Sequence, residues 1–477
     1  MREGSLRSVR QRSPVLAALI AISAIAHAQD PTGVKAHDTH QETFPFGRFG
    51  EVHIYVPDKI QSVALFAAGD GGWNDGINDM AQLLANQGAL VAGIDTPRYL
   101  TEIANAKETC AYPAGELEDL SHAVEKKYGL QSYLVPTVVG YSSGATLGYI
   151  ASVQAPKGTF RGLITLGFCT EWASPKEFCH GRDLHAKKIK DAFVLQPAAD
   201  AGLVWLALQG ANDQACSLDS LQTFAQNISG AKVQALPKVG HGYAVGREWH
   251  AQYAAAYRQL ATPVSSPKLP QPVRDLPLIE VPASVMSDTF ALLLTGDGGW
   301  AGLDRDVAAG LSKAGVAVVA LSSLQYFWKA RTPEQAAQDV ARIIDHYATA
   351  WQRERVVLVG YSFGADALPA IINRLPPASR ARIARVALIG LSPKASFEIH
   401  VGGWLGQSGD EPVLPELERL ARDKVDITCI RGSDETDSLC PLPPEIGTSV
   451  VLKGGHHFNG DYGAVTKAVL GPKEKHL

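Results

Sequence analysis

Two pentapeptides in this 477-residue chain set a serine between glycines: Gly140-Tyr141-Ser142-Ser143-Gly144 and Gly360-Tyr361-Ser362-Phe363-Gly364. A serine hydroxyl attacks a carbonyl usefully only when a base removes its proton during the attack. The Gly-x-Ser-x-Gly pattern places such a serine on a sharp strand-to-helix turn. Its small flanking residues permit the bend, and the N–H of the next residue helps to hold a developing oxyanion. Chance supplies roughly 0.25 such matches in a chain of this composition, so one copy would mean little. Two copies, each behind an apolar run (Thr137-Val138-Val139 and residues 356–359), form a strong signal.

In hydrolases that use this turn, the acid and then the histidine follow the serine along the chain. The second half supplies both. Residues 425–430 read as a strand, after which come Asp434, Glu435 and Asp437, and a last strand leads into Gly454-Gly455-His456-His457-Phe458. His456 is the expected base, because Gly240-His241-Gly242-Tyr243 in the first half aligns with it. The serine-to-histidine spacings, 94 and 99 residues, agree. Asp437 is the favoured acid: it lies three residues before Cys440, as Asp213 lies three before Cys216, and four before Pro441. Asp434, two after Gly432, is the other candidate. The acid would hold the histidine tautomer and stabilise the imidazolium. Ser142, Asp213 and His241 make a second candidate set in the first half.

Gly69-Asp70-Gly71-Gly72-Trp73 recurs unchanged as Gly296-Asp297-Gly298-Gly299-Trp300. Each copy follows a strand-like run, where hydrolases build the rest of the oxyanion hole. Gly298, Gly299 and Trp300 are the expected donors, together with Phe363 beside the nucleophile. Asp297 is unusual there, since a carboxylate repels an oxyanion. It either recognises a cationic group such as an ammonium or caps its own turn and the next helix.

These motifs must be carried by repeated strand and helix units. Short β-branched, fully apolar runs alternate with helical patterns in each half, as parallel sheets covered on both faces require. The expected class is α/β: two tandem hydrolase-like domains, each a mostly parallel sheet flanked by helices. We place the first at 45–261, a proline-rich linker at 262–277 and the second at 278–477. The net charge of −4 argues against nucleic acid as a partner. Residues 1–28 read as an export signal, with four arginines, an apolar stretch at 15–26 and Ala26-His27-Ala28 as the cleavage pattern. Removing it leaves a charge of −7 and assigns the protein to the periplasm, where six cysteines suit disulfides. Cys429 and Cys440 are the readable pair. The histidines show no metal-ligand spacing and neither glycine loop fits a nucleotide fingerprint, so no metal and no cofactor is expected.

The glycine loop, Gly360-Tyr361-Ser362-Phe363-Gly364-Ala365-Asp366 with Leu368-Pro369, and Gly455-His456-His457-Phe458 with Gly460-Asp461-Tyr462 together resemble the VirJ family of bacterial virulence proteins. The two-domain length is similar to its AcvB-type members, and the first half resembles the pattern more loosely. The resemblance implies a periplasmic α/β-hydrolase that deacylates lysyl- or alanyl-phosphatidylglycerol at the membrane surface through a Ser-Asp-His triad. It also implies an association with virulence and with type IV secretion components. Two competing readings stand beside it: a noncatalytic periplasmic binding or chaperone protein for type IV secretion, and a general carboxylesterase or thioesterase.

Overall fold

The computed structural model describes residue 1 and residues 39–190, 192–262, 269–285, 287–400 and 409–471. Residues 2–28 of the expected export signal and the linker residues 263–268 lie outside them. No described helix is long and apolar enough to cross a membrane.

The first half forms an eight-stranded sheet. Its strands are β1 (Thr39–Phe46), β2 (Gly50–Pro57), β3 (Ser62–Ala67), β4 (Ala89–Ile94), β5 (Thr137–Tyr141) and β6 (Gly162–Leu166), with β10 (Asp200–Gly210) and β11 (Ser229–Leu236). Between β6 and β10, β7 (Glu171–Trp172), β8 (His185–Ile189) and β9 (Ala192–Gln196) make a small separate sheet. The main order is β1-β2-β4-β3-β5-β6-β10-β11, antiparallel at β1, β2 and β4 and parallel from β4 onward.

The second half repeats this plan, with no counterpart of β1 among the described residues. Its strands are β12 (Leu278–Val281), β13 (Thr289–Leu294), β14 (Ala317–Leu321), β15 (Arg355–Tyr361), β16 (Ile383–Ile389), β19 (Ile427–Gly432) and β20 (Thr448–Leu452). A two-stranded ribbon, β17 (Lys394–Ala395) with β18 (Glu411–Pro412), lies apart from them. The order β12-β14-β13-β15-β16-β19-β20 is again parallel except at the β12 edge.

Strand side chains alternate between two faces, and both faces here are apolar. Val63 and Leu65 of β3 join one core while Ala64 and Phe66 join the other. Phe290, Leu292 and Leu294 of β13 are likewise separated from Ala291 and Leu293. Helices Asp75–Ala85 and His250–Ala261 cover one face of the first sheet. Helices Gly302–Lys313 and Tyr462–Leu470 cover the equivalent face of the second.

The first domain's strands begin at Thr39 rather than 45. The segment expected as an extended linker ends inside the second domain, where Val273 and Leu276 are buried. The two halves pack together. Tyr133 is buried in the second domain's core and lies 5.3 Å, centroid to centroid, from Trp328. The Trp328 indole donates to Leu130 O at 2.9 Å, and Lys126 pairs with Glu398 at 3.0 Å.

A Cβ added at Gly364 would lie 2.3 Å from Leu294 O, and one at Gly144 would lie 2.1 Å from Ala67 O. We expect Gly364→Ala to destabilise the protein by roughly 1–3 kcal/mol through overpacking against the β13 backbone. Thermal unfolding monitored by circular dichroism checks it, and an unchanged transition contradicts it.

Candidate active sites

Both serines sit where a central strand turns into a helix. Ser142 follows β5 with φ 55° and ψ −124°, and Ser362 follows β15 with φ 50° and ψ −118°. A non-glycine residue is uncommon at positive φ, and such strained backbone clusters at functional sites. Their amides donate to the neighbouring strand, Ser142 N to Leu166 O at 2.9 Å and Ser362 N to Ile389 O at 2.8 Å.

In the first domain the structure brings Ser142, His241 and Asp213 together. Ser142 Oγ is 2.9 Å from His241 Nε2, and His241 Nδ1 is 2.8 Å from Asp213 Oδ2. The Asp213 side chain is fully buried. Its Oδ1 accepts from the amides of Ala215 and Cys216 at 3.0 and 2.8 Å, and its Oδ2 from Gln209 Nε2 at 3.1 Å. Asp213, Cys216 and His241 offer atoms within 4.8 Å of one another, but the Cys216 sulfur is bonded to Cys169. The set therefore lacks a free thiolate for a metal.

The second domain repeats the arrangement with a different acid. His456 Nδ1 meets Glu435 Oε1 at 2.5 Å, and Glu435 Oε2 accepts from the Gly432 amide at 2.6 Å. Asp437 and Asp434, the expected acids, are exposed; Asp434 accepts from Ser433 Oγ instead. The cysteine register misleads here. Cys216 lies six residues after Gly210 and bonds to Cys169 beyond β6, whereas Cys440 lies eight after Gly432 and bonds to Cys429 within β19, so the two loops differ in length before the cysteine. The usable signal is the glycine ending each strand, because Asp213 lies three after Gly210 and Glu435 three after Gly432. In both loops the acid's amide donates to that glycine's carbonyl.

His456 and His241 occupy equivalent places. A Cβ on Gly390 would lie 2.5 Å from His456 Cε1, and one on Gly167 would lie 3.2 Å from His241 Cε1. No hydrogen bond joins Ser362 Oγ to His456, although such bonds are often long before substrate binds. His457 lies beside the site: burial holds its pKa below the ordinary value, so its Nδ1 can accept from Tyr361 OH at 3.0 Å.

Burial alone would push the Glu435 carboxyl up, but the bonds from His456 and the Gly432 amide outweigh this and the net shift is downward. Burial likewise opposes protonation of His456. Glu435, Asp297 and Asp366 outweigh it, and the imidazole is held above its ordinary pKa of 6.5.

Further carboxylates gather around this second site. Burial, offset in part by Ser392 and His456 and reinforced by Asp297, raises Asp366 to about 7. From the first domain's helix Pro113–Lys127, Glu118 is pushed to about 8 and Asp119 to about 6, by burial and then by Asp297. Glu118 lines a cleft of about 720 Å³ between the domains together with Gly298, Gly299 and Trp300, and a Cβ added at Gly298 would lie 3.7 Å from Glu118 Oε1.

Of the expected oxyanion donors, the Gly299 amide is committed to Gly296 O at 3.1 Å and the Gly298 amide to Asp297 Oδ1 at 3.1 Å. Asp297 thus bonds its own turn. Phe363 opens its helix, where the first N–H groups have no intrahelical acceptor, and stays suited to an oxyanion.

Strand order, parallel connections and the serine turn define each half as an α/β-hydrolase fold. The family of bacterial virulence protein VirJ matches residues 61–158 and 288–476. That is more than half of the chain, and the protein belongs to this family. No curated protein matches the chain by sequence. Similar solved structures include the esterase domain of a Rhodothermus marinus protein, with 10% identity and a TM-score of 0.32 over 47% of this chain and 98% of that one. A lidless serine hydrolase from Xanthomonas campestris gives 16% and 0.30 over 47% and 93%. Dienelactone hydrolase from Anabaena variabilis gives 15% and 0.33 over 47% and 96%.

The His456–Glu435 pair sets a pH signature. The base must be neutral, so Ser362-dependent turnover should fall as pH drops through a value above 6.5. Glu435→Gln should shift that limb to lower pH and reduce kcat by about 10²- to 10⁴-fold. Asp437→Asn and Asp434→Asn should change neither. pH–rate profiles of the three variants decide, and an intact Glu435→Gln enzyme would remove the residue from the triad.

Proposed function

We propose that the second domain is an exported serine hydrolase acting on the aminoacyl ester of aminoacyl-phosphatidylglycerol, with Ser362 as nucleophile, His456 as base and Glu435 as orienting acid. The three disulfides fit an oxidising compartment such as the periplasm. Ser362 Oγ attacks the ester carbonyl as His456 takes its proton. The glycerol oxygen then leaves with that proton, and water activated through His456 releases the amino acid. Membership of the virulence protein family and the resemblance of its motifs to lipid-deacylating members support this substrate class.

The observation that carries the reading is electrostatic. Asp366 acts on His456 and Asp297; Glu118 and Asp119 face Asp297 from the first domain; and none of the four forms an ion pair among the described residues. Carboxylates crowded together and engaged in no ion pair favour a cationic ligand, although His456 lies beside them and Arg274 and Arg305 line the same cleft as Glu118. An aminoacyl group brings an α-ammonium, and a lysyl group a second ammonium. A binding protein without catalysis is favoured by one observation, the absence of a Ser362–His456 hydrogen bond. Reaction of Ser362 with a fluorophosphonate separates the two.

Incubating mature protein with lysyl-, alanyl- and unmodified phosphatidylglycerol tests the assignment. We expect free amino acid and phosphatidylglycerol from the first two and no reaction of the third. Ser362→Ala should abolish release while leaving the fold intact; undiminished release would move the chemistry elsewhere. Deprotonation of the carboxylates near pH 6, 7 and 8 strengthens their hold on a cation, so KM for the lysyl lipid should fall as pH rises across that range. Glu118→Gln should raise that KM about fivefold, equivalent to about 1 kcal/mol, with little change in kcat. An unaltered KM would exclude Glu118 from substrate recognition.

A further inference from the structure

The first domain's serine set has no part in the chemistry assigned to Ser362, yet it is the more completely assembled of the two. We propose that Ser142, His241 and Asp213 form a second, independent active site that hydrolyses esters whose acyl group carries no positive charge.

Three observations carry this. Ser142 holds the same left-handed turn as Ser362, with φ 55°. The relay is continuous, at 2.9 Å from serine to Nε2 and 2.8 Å from Nδ1 to the carboxylate. Asp213 is anchored by two backbone amides and Gln209, so it presents one fixed oxygen to the ring. Such anchoring holds the Nδ1–H tautomer and leaves Nε2 free to take the serine proton. A vestigial site has no physical reason to keep a strained serine, a buried carboxylate and a bridging imidazole in register. The His241 side chain is 27% exposed, so the relay opens to solvent.

The substrate class follows from how the two sites differ. Thr146 stands where Asp366 does, and its hydroxyl donates to Cys169 O at 2.9 Å. Asp304 is a buried carboxyl beside Gly296 and Asp297 in the second site; Ile77 takes its place here and is buried in apolar core. Apart from the triad acid, the carboxylate that acts on Tyr141 is Asp70, and it is exposed to solvent. With Thr146 and Ile77 in place of two buried carboxyls, and Asp70 left in water, the site offers little to repay the desolvation of an ammonium. It suits a neutral acyl group. In the reaction Ser142 Oγ bonds to the acyl carbon and the ester C–O bond breaks. The serine proton passes through His241 to the departing alcohol, and water then cleaves the acyl-serine to a carboxylic acid.

The test combines labelling and turnover. Wild-type protein treated with a fluorophosphonate and mapped by peptide mass spectrometry should carry the label on Ser142 as well as Ser362. In Ser362→Ala protein, hydrolysis of p-nitrophenyl butyrate should persist and should fall about a thousandfold when Ser142→Ala is added. A lysine p-nitrophenyl ester should be a poor substrate for Ser362→Ala. Label on Ser362 alone, label on neither serine, or butyrate turnover indifferent to Ser142→Ala each overturns the proposal. Mapping on the wild type decides even if a variant fails to fold. Cleavage of aminoacyl lipid is read separately, so this site can fail or succeed without regard to the Ser362 assignment.

Discussion

Everything chemical in this protein rests on one steric constraint, the approach of a helix backbone to the carbonyl end of the adjacent central strand. Gly144 reaches Ala67 O and Gly364 reaches Leu294 O so closely that no side chain fits between them. That approach forces the preceding serine into positive φ and lifts it above the sheet, level with the loops that carry histidine and acid. The strain at the serine is sustained because buried strands on both sides fix the backbone.

The two copies share this constraint and have diverged in charge. The first keeps a closed relay and replaces neighbouring carboxylates with Thr146 and Ile77. The second keeps Asp366 and Asp304, gains a glutamate in place of aspartate, and is overlooked by the helix Pro113–Lys127 of the first. Glu435 is one methylene longer than Asp213, and the longer side chain still meets the ring while bonding back to the Gly432 amide.

Domain packing has a chemical consequence as well as a structural one. The contact built on Tyr133, Trp328 and Leu130 fixes the helix that carries Glu118 and Asp119 beside the second glycine loop. The duplication therefore gives the second site two walls from different halves of the chain. An isolated second domain would lack one of them.

The sequence by itself determined the duplication, the α/β class, the serine turns, both histidines and the Cys429–Cys440 pair. These are local signals: a motif of five residues, a glycine loop repeated unchanged, and apolar runs whose burial any sheet would demand. It also held the complete residue set of the first relay. Tertiary structure alone decided the rest. Which carboxylate meets His456 depends on where a loop side chain points, and three acids within four residues (Asp434, Glu435 and Asp437) are indistinguishable by type; only the turn closed on Gly432 brings Glu435 to the ring. Glu118 and Asp119 lie some 180 residues from Asp297, and no spacing rule links them. Their meeting is fixed by the buried contact between the halves, an outcome of surface complementarity, which no stretch of chain displays.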